Sequence, residues 1–395
     1  MNGTGKTAFE YIVVGCGGIG SAALYWLSRR ATTEVLGLEQ FSLGHERGAS
    51  EDHSRIIRLS YHNQAYTSLA PHTYEAWSEV ENESGIQLVF KTGGLDLESV
   101  EDEPTYINEY AGAMAAAKIP YEELTANDIM DRFPQFTLDG SVLGLYQPEG
   151  GFVDAGKANA LHVALARSRG ATVLDETPVY GVRAACDGVE VETAAGTFSA
   201  AKLIVAAGAW TNRVLGHLGY SIPITCTQEQ VTYFRTPYLR EFAPERFPVW
   251  IWHGGPDYSF YGLPVYGAPG TKAGQDVGGD VVTAETRTFE ANPRILATLR
   301  GFLGLYINGS VGPELYTKTC LYDMPPDREF VLGAVPGMPQ VTFFCGAGHA
   351  FKFAGLVGKI LSELALEGHT RYQIEAFRPD RQALTDPDYT PTLAM

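Results

Sequence analysis

The sequence predicts an α/β fold in which a second domain is inserted into a nucleotide-binding one. An apolar run followed by a glycine-rich turn and a helix occurs near the start of the chain, at 11–30, and again near its end, at 341–366. Between them, residues 223–319 are rich in aromatic residues, prolines and glycines, with short strand-like runs. The two repeated units are typical of a Rossmann-like domain, and the middle region is typical of a mostly antiparallel sheet.

The first glycine turn has the spacing of a dinucleotide-binding site. Residues 15–20 read G-C-G-G-I-G, directly after an apolar strand and before an apolar helix. In such a turn Gly15 allows the bend, Gly17 lets a pyrophosphate approach the backbone, and Gly20 lets the helix pack on the strand. A second apolar strand ends at Glu39, 19 residues after Gly20, where a carboxylate can bind a ribose hydroxyl. NAD and FAD are both open at this point, and NADP is disfavoured. The predicted cofactor contacts here are Gly15, Gly17, Gly18, Ile19, Gly20, Glu39 and Gln40.

The composition argues against a nucleic-acid or membrane partner. The chain has 395 residues, 45% of them hydrophobic, and a formal net charge of −17. This negative charge disfavours binding to nucleic acid and to anionic membranes. A site that binds an anion would therefore need arginines and lysines concentrated around it. Neither a signal-peptide pattern nor an apolar run of about 18 residues occurs. Five cysteines without repeated spacing favour reduced thiols in a cytoplasmic protein, and no metal-ligand spacing is present.

Hydrophobic periodicity predicts the elements between the first turn and the inserted region. Helices are predicted at 64–82, 101–118, 128–133 and 158–168, and strand segments at 89–95, 143–146, 151–153 and 171–174. Residues 189–193 and 196–198 predict a hairpin, and 202–210 predicts a separate buried strand that ends in glycine. Because the carboxyl end of a parallel strand faces the ligand, Ala207, Gly208 and Trp210 are candidate cofactor contacts.

The inserted region contains one predicted helix, at 285–304, and a glycine-rich stretch at 262–279. That stretch holds a single lysine, Lys272, and is predicted to be a flexible connector or a lid over a site. The second strand–turn–helix unit then returns the chain to the first domain. FAD is long enough to need contacts from both ends of the chain. The sequence therefore predicts a discontinuous FAD-binding domain at 1–85, 150–222 and 320–395, with a substrate domain at 86–149 and 223–319.

Four motifs resemble the monomeric sarcosine oxidase and N-methyltryptophan oxidase family, which are DAO-like, FAD-dependent amine oxidases. The motifs are the first glycine turn with Glu39, S-R-I-I-R at 54–58, C-L-Y-D-M-P-P-D-R-E-F at 320–330, and G-H-A-F-K at 348–352. The first motif is common to flavin and NAD folds, whereas the other three together are specific. The resemblance extends from about residue 10 to about residue 380.

The resemblance implies how a flavin would be held. Cys320 corresponds to the cysteine that is bonded to the 8α-methyl group of FAD in the family. Arg55 corresponds to an arginine over the flavin ring, and Lys272 to a lysine near flavin N5 that promotes the reaction with oxygen. Val179 corresponds to a residue that contacts adenine through its backbone. The further cofactor contacts implied are Ser54, Gly346, Gly348, His349 and Lys352.

The resemblance also implies a substrate site. Arg58 and Lys352 correspond to residues that hold a substrate carboxylate, which agrees with the chemistry of a guanidinium and an ammonium group. Tyr261 and Tyr322 correspond to tyrosines beside the substrate. The catalytic residues implied are Arg55, Lys272, Tyr322, His349 and Lys352.

Asp276 departs from the family pattern, because sarcosine oxidases carry a histidine four residues after the lysine. An acidic side chain there could bind a second ammonium group or a larger, more basic substrate, or it could point outward. The loop before His349 is also one residue shorter than in sarcosine oxidase. Both differences put sarcosine itself in doubt as the substrate.

The sequence therefore predicts a monomeric FAD-dependent oxidase of secondary amino acids, N-alkylated or cyclic, which forms an imine and reduces O2 to hydrogen peroxide. An oxidase of Amadori products or pipecolate-type imino acids is a second candidate, which Asp276 favours. A flavin dehydrogenase with another electron acceptor is a third candidate, and a non-catalytic nucleotide-binding protein is a fourth.

Overall fold

The computed structural model describes residues 5–100, 105–185, 187–255 and 258–391, and these ranges contain nine α-helices and twenty β-strands. The helices are α1 (Gly18–Ala31), α2 (Gln64–Ser84), α3 (Tyr106–Ala116), α4 (Ala126–Arg132), α5 (Ala155–Ser168), α6 (Thr211–Gly216), α7 (Pro293–Tyr306), α8 (Ala354–Glu367) and α9 (Gln382–Thr385). The strands of the first half are β1 (Ala8–Val14), β2 (Val35–Leu38), β3 (Arg55–Ile57), β4 (Val89–Lys91), β5 (Gly94–Ser99), β6 (Glu122–Thr125), β7 (Val142–Gln147), β8 (Gly151–Val153), β9 (Thr172–Leu174) and β10 (Val179–Ala185). The remaining strands are β11 (Gly188–Thr193), β12 (Gly196–Val205), β13 (Thr225–Arg235), β14 (Val249–His253), β15 (Phe260–Leu263), β16 (Gly270–Gln275), β17 (Asp280–Val281), β18 (Glu314–Met324), β19 (Val331–Val335) and β20 (Met338–Cys345).

The first sheet has eight strands, and both glycine turns follow strands of this sheet. Its order is β10-β11-β12-β1-β2-β9, with β20 paired to β12 and β19 paired to β20. Strands β9, β2, β1, β12 and β20 run parallel, so their carboxyl ends meet at one edge. Successive residues of β1 point to opposite faces and both faces are buried, Val13 in one core and Ile12 in the other. The predicted Rossmann-like arrangement is confirmed.

The second sheet has nine strands and is mostly antiparallel, as predicted. Its order is β17-β13-β16-β15-β14-β5-β7-β6, with β18 paired to β13. Only β14 and β5 pair in parallel. Its core contains apolar side chains of α4 and α7, such as Ile129 and Phe302, packed with the buried Trp250. A small third sheet, β3-β8-β4, completes the strand pairing in the described ranges.

Three predicted elements differ from the structure. The helix expected at 285–304 begins at Pro293, because the Asn292 side chain caps it by accepting from the Arg294 amide at 3.0 Å and proline suits the first turn. The separate strands expected at 196–198 and 202–210 are one strand, β12, followed by a 3₁₀ turn at Gly208–Trp210. Of the helix expected at 101–118, the described part is α3, and 101–104 lie outside the described residues.

The glycine-rich stretch 262–279 is not wholly a connector or a lid. Its middle forms β16, which lies between β13 and β15, and all six residues of that strand are buried. Glycine at 270 allows the neighbouring strand to approach, since a β-carbon there would lie 2.1 Å from the Phe234 carbonyl oxygen. The glycine content therefore reflects close strand packing.

One predicted domain boundary, at residue 320, falls inside a strand. Strand β18 continues to Met324 in the nine-stranded sheet, paired with β13 from Thr225 to Phe234. The division of the chain into two domains remains a prediction. Across the described ranges, no helix is both long and apolar enough to cross a membrane.

Candidate active site

A continuous cavity runs from the carboxyl edge of the eight-stranded sheet to the face of the nine-stranded sheet. Every residue predicted for the cofactor, substrate or catalytic site lines it, with the exception of Gly20. Gly20 lies behind the first turn, where an added β-carbon would lie 1.7 Å from the Gly15 carbonyl oxygen. Its role is therefore the close helix–strand packing that the motif predicts.

One end of the cavity fits a dinucleotide. Gly15 has a φ of +89°, and α1 begins after Gly17 with no acidic residue in its first turn. The first amide of the helix, that of Gly18, donates to the Ser50 hydroxyl at 2.9 Å. The positive end of the helix dipole therefore faces the cavity without a protein anion at its first turn. Glu39 lies at the end of β2 and accepts backbone hydrogen bonds from Cys16 at 2.8 Å and Phe41 at 3.1 Å.

Glu39 remains ionised in this position. Burial alone would raise the pKa of its carboxyl group, but hydrogen bonds from His45, Cys16 and Phe41 outweigh that effect and lower it. A glycine turn, a helix N-terminus and a carboxylate acceptor are the kinds of group that bind the pyrophosphate and ribose of a dinucleotide. Gln40, Val179, Ala207, Gly208 and Trp210 line the same end.

A buried charge cluster lies farther along the cavity, around Asp52. Lys272 Nζ lies 2.7 Å from Asp52 Oδ2 and also donates to the Ser54 carbonyl oxygen. Arg55 Nη1 donates to the same carboxylate oxygen at 2.6 Å, and Tyr233 donates to the other at 2.6 Å. The Asp52 side chain is 1% exposed and that of Lys272 is 3% exposed. The structure thus brings together the two cations predicted to flank a flavin ring.

The two charged partners change each other's pKa in opposite ways. Burial would raise the pKa of Asp52, but Lys272 and Arg55 hold it well below the usual range of an aspartic acid. Burial lowers the pKa of Lys272 to about 8, although Asp52 opposes this change. Lys272 is therefore mostly protonated at neutral pH, but it loses its proton more easily than an exposed lysine does.

Cys320 lies on β18, opposite Glu229 of β13, and lines the cavity. Burial raises the pKa of its thiol to about 11, although Arg55 acts in the opposite direction. The residue is a free, half-buried thiol.

Arg58 and Lys352 both lie close to one aromatic ring, that of Tyr61. The Arg58 guanidinium carbon is 5.0 Å and the Lys352 Nζ is 5.8 Å from the centre of the Tyr61 ring. Lys352 Nζ donates to the His349 carbonyl oxygen at 3.0 Å. Burial, reinforced by the charge of Arg58, lowers the pKa of Lys352 to about 7. The two predicted carboxylate-binding groups are therefore neighbours in the structure, although their sequence positions are far apart.

The second glycine turn packs against Tyr322. Gly348 has a φ of +79°, and a β-carbon on it would lie 2.4 Å from the Tyr322 ring. His349 Nε2 lies 3.2 Å from the Tyr66 hydroxyl oxygen, and its ring stacks on Phe330. Burial, with the charge of Lys352, holds the pKa of His349 well below its usual value. His349 is therefore neutral, and its ring position is fixed by these contacts.

Asp276 lies in the cavity wall beside Tyr261 and does not point away from the site. Both of its carboxylate oxygens accept from Arg328 Nη2 at 3.0 Å, and the Arg328 side chain is 3% exposed. The negative charge considered for a second substrate ammonium group is therefore already compensated by an arginine.

Several charged or titratable residues at this site were not predicted from the sequence, among them Asp52, Asp96, His253 and Arg328. Asp96 alternates with two leucines in β5, a pattern that usually places an acid in solvent. Arg328 lies inside the motif at 320–330, so its positive charge could have marked it as a candidate site residue. The pairing of these residues across distant segments could not be read from local patterns.

Comparison with known proteins supports the same assignment. The family model described as "DAO: FAD dependent oxidoreductase" matches residues 10–364. A monomeric sarcosine oxidase from Streptomyces avermitilis is 35% identical over 384 residues, which are 95% of this chain and 98% of that protein. An N-methyl-L-tryptophan oxidase from Escherichia coli is 27% identical, with 94% and 99% covered.

A solved structure shares the whole architecture. The open form of NikD, described as an unusual amino acid oxidase essential for nikkomycin biosynthesis, matches with a TM-score of 0.84 at 29% identity. The match covers 95% of this chain and 98% of the NikD chain. These similarities confirm the family resemblance that the four motifs predict. The chain belongs to the DAO family and is an FAD-dependent oxidoreductase.

Proposed function

We propose that this protein oxidises a secondary amino acid, N-alkylated or cyclic, to an imine and reduces O2 to hydrogen peroxide. The observation that carries the proposal is the continuity of the cavity. It joins the dinucleotide turn at Gly15 to the neighbouring cations Arg58 and Lys352. Similarity to a sarcosine oxidase and an N-methyltryptophan oxidase over nearly the whole chain supports an N-methyl or related amino acid as the substrate.

Arg58 and Lys352 bind the substrate carboxylate in this proposal. Arg58 is buried and Lys352 is half-buried, and both line the cavity, where a carboxylate between them forms charge-assisted hydrogen bonds. When bound, FAD would supply the acceptor for the hydride that leaves the carbon next to nitrogen and the route for two electrons to O2. The two electrons and two protons that the amine loses balance those that O2 gains as hydrogen peroxide. The substrate nitrogen loses a proton in forming the imine, and Tyr261 and Tyr322 shape the cavity beside it.

Lys272 and Arg55 serve the oxygen side of the reaction in this proposal. The Lys272 ammonium group has three donors, and Asp52 and the Ser54 carbonyl accept from it. A cation held in this way stabilises the negative charge that develops on oxygen as it is reduced. Its position in a buried strand supports a fixed cation better than the flexible loop predicted from the sequence.

Peroxide release tests the proposal most directly. The purified yellow protein is mixed anaerobically with N-methyl, cyclic and glycated amino acids, and bleaching of the flavin absorbance is followed before air is admitted. We expect bleaching and then one equivalent of hydrogen peroxide with a secondary amino acid. Arg58→Gln should raise the KM at least tenfold, whereas Arg183→Gln, an arginine whose side chain is 71% exposed, should not change it.

Each rival function has its own outcome in that experiment. Bleaching without peroxide would indicate a flavin dehydrogenase that uses another electron acceptor. Turnover of glycated or six-membered cyclic substrates alone would narrow the proposed substrate class to Amadori products or pipecolate-type imino acids. The absence of bleaching with every amine would contradict the proposal and favour a nucleotide-binding protein without this activity.

We also propose that FAD is attached covalently through Cys320. Support comes from the position of this thiol in the cavity wall close to Arg55, within the motif at 320–330. Acid-precipitated wild-type protein should stay yellow, and Cys320→Ser should release its flavin into the supernatant. Cys226→Ser, on neighbouring β13, provides the matched control. Flavin released from the wild type would contradict the attachment and leave the oxidase proposal intact.

The remaining expectations concern the state of the protein. Relatives named monomeric sarcosine oxidases support a monomer that acts on a small amino acid. A cytoplasmic location rests on the cysteine pattern of the sequence and remains a proposal.

A further inference from the structure

Asp96 is a buried carboxylate that connects two residues of the cavity wall. It lies on β5 and is 2% exposed. Its Oδ1 accepts from Arg58 Nη1 at 2.6 Å and lies 2.9 Å from His253 Nε2. Its Oδ2 accepts from the Ser60 hydroxyl at 2.6 Å. An ionised carboxylate only accepts hydrogen bonds, so His253 donates from Nε2.

The partners of Asp96 come from two parts of the chain, Arg58 and Ser60 from one and His253 from the other. Arg58 directly follows β3, and His253 ends β14, which pairs in parallel with β5. Arg58 and His253 both line the cavity, whereas Asp96 lies behind them and does not. The His253 ring is also held between Tyr106 and Tyr110, with ring centres at 5.4 and 4.8 Å. Asp96 is thus a shared hydrogen-bond acceptor for two side chains of the cavity wall, those of Arg58 and His253.

The guanidinium group of Arg58 is held by Asp96 and by two aromatic rings. Asp96 accepts from Nη1 at 2.6 Å, and the guanidinium carbon lies 5.0 Å from the centre of the Tyr61 ring and 5.4 Å from that of the Tyr110 ring. The Nε atom is buried and has no hydrogen-bond partner among the described residues. The hydrogen bond to the Asp96 carboxylate therefore fixes the plane of the group in the cavity wall.

We propose that Asp96 is a positioning residue that holds Arg58, together with His253, in the orientation that binds the substrate carboxylate. The inference rests on the proposed function, in which Arg58 contacts that carboxylate. Asp96 itself touches neither the substrate nor the cofactor. Its effect should therefore appear in ligand affinity more than in the rate of the chemical step.

Two substitutions distinguish the effect of the Asp96 hydrogen bonds from the effect of its negative charge. Asp96→Asn keeps Oδ1 as an acceptor for Arg58 and His253, and its amide can donate to Ser60, so only the charge is lost. Asp96→Ala removes the hydrogen bonds as well as the charge. Ser99→Ala, at the exposed end of the same strand, is the matched control.

Binding is measured by titrating the oxidised holoenzyme with acetate and with its neutral analogue acetamide, following the flavin absorbance. Asp96→Ala should weaken acetate binding at least tenfold, Asp96→Asn by no more than about threefold, and neither should change acetamide binding. With a substrate identified, Asp96→Ala should raise the KM much more than it lowers kcat. The melting temperature of each variant shows whether the protein is folded.

Other outcomes overturn the inference. If both variants bind acetate more tightly than the wild type, Asp96 only neutralises Arg58. If Asp96→Ala is folded and binds acetate like the wild type, the pair is structural. Failure of the wild type to bind acetate or to be bleached by any amine would instead overturn the proposed function, so the two failures can be told apart.

Discussion

The two lysines of the cavity share a cause for their low pKa values but differ in their surroundings. Burial is the largest effect on both. The adjacent Asp52 partly restores the pKa of Lys272, which is about 8. Arg58 lowers the pKa of Lys352 further, to about 7. Near neutral pH, Lys352 is therefore the group whose charge responds most readily to an incoming anion.

Carboxylate binding should become weaker as the pH rises through the pKa of Lys352. Below about pH 7 the ammonium form is present, and above it the neutral amine predominates unless a bound carboxylate draws a proton back. Since one charge-assisted hydrogen bond contributes roughly 1.5 kcal/mol, acetate affinity should fall about tenfold between pH 6 and 9. Titrations of the holoenzyme with acetate at several pH values measure this fall in affinity.

The matched variant for this prediction is Lys352→Met, which keeps the length of the side chain without its charge. It should bind acetate weakly and with little pH dependence over the same range. A wild-type affinity that does not change between pH 6 and 9 would show that Lys352 stays charged, or that it does not contact the anion.

Buried carboxylates are the second residue-scale feature of the site. Asp52, Asp96 and Asp276 each neutralise an arginine or lysine that lines the cavity. Buried cations without such partners would be strongly disfavoured, because removing a charge from water costs several kcal/mol. The same acids fix the orientations of the cationic side chains before a ligand binds.

At the scale of elements, the β1–α1 turn depends on the absence of one side chain. A β-carbon at Gly20 would overlap the Gly15 carbonyl oxygen, at 1.7 Å, and that atom belongs to the backbone that surrounds the dinucleotide end. The helix could accommodate it only by moving away from the strand, which would displace the helix N-terminus that faces the cavity.

Gly20→Ala should therefore lower both stability and flavin content. We expect a loss of at least about 2 kcal/mol in the free energy of unfolding, because the clash involves backbone on both sides. Gly301→Ala in α7 is the control, since nothing lies within 4 Å of the added carbon there. It should stabilise the protein by about 0.5–1 kcal/mol. Urea denaturation and the flavin-to-protein absorbance ratio measure both effects, and a fully flavinylated, stable Gly20→Ala protein would refute this account of the turn.

At the scale of the whole molecule, the site lies between two sheets. The dinucleotide end belongs to the eight-stranded sheet, while Lys272 and Cys320 belong to the nine-stranded sheet. The cavity wall contains six cations, Arg55, Arg58, Arg213, Lys272, Arg328 and Lys352, although the net charge of the protein is −17. Four carboxylates, those of Glu39, Glu51, Asp276 and Asp323, line the same wall, so the cations act through their individual positions and not through an excess of positive charge.

The sequence by itself determined the two strand–turn–helix units, the mostly antiparallel insertion and the family. These depend on local features, namely glycine spacing, hydrophobic periodicity and short motifs such as S-R-I-I-R. Local patterns failed at 262–279, where glycines taken for a flexible stretch allow neighbouring strands to approach, and they misplaced the start of α7 by eight residues.

Only the tertiary structure decided which charge meets which. Arg58 and Asp96 are 38 residues apart in the sequence, and Lys272 reaches the Ser54 carbonyl across 218 residues. Such pairs form because the fold buries both partners at one place, and no periodicity along the chain encodes that choice. The sequence indicated residues that line the cavity, and the fold added the buried acids that bind their cationic groups.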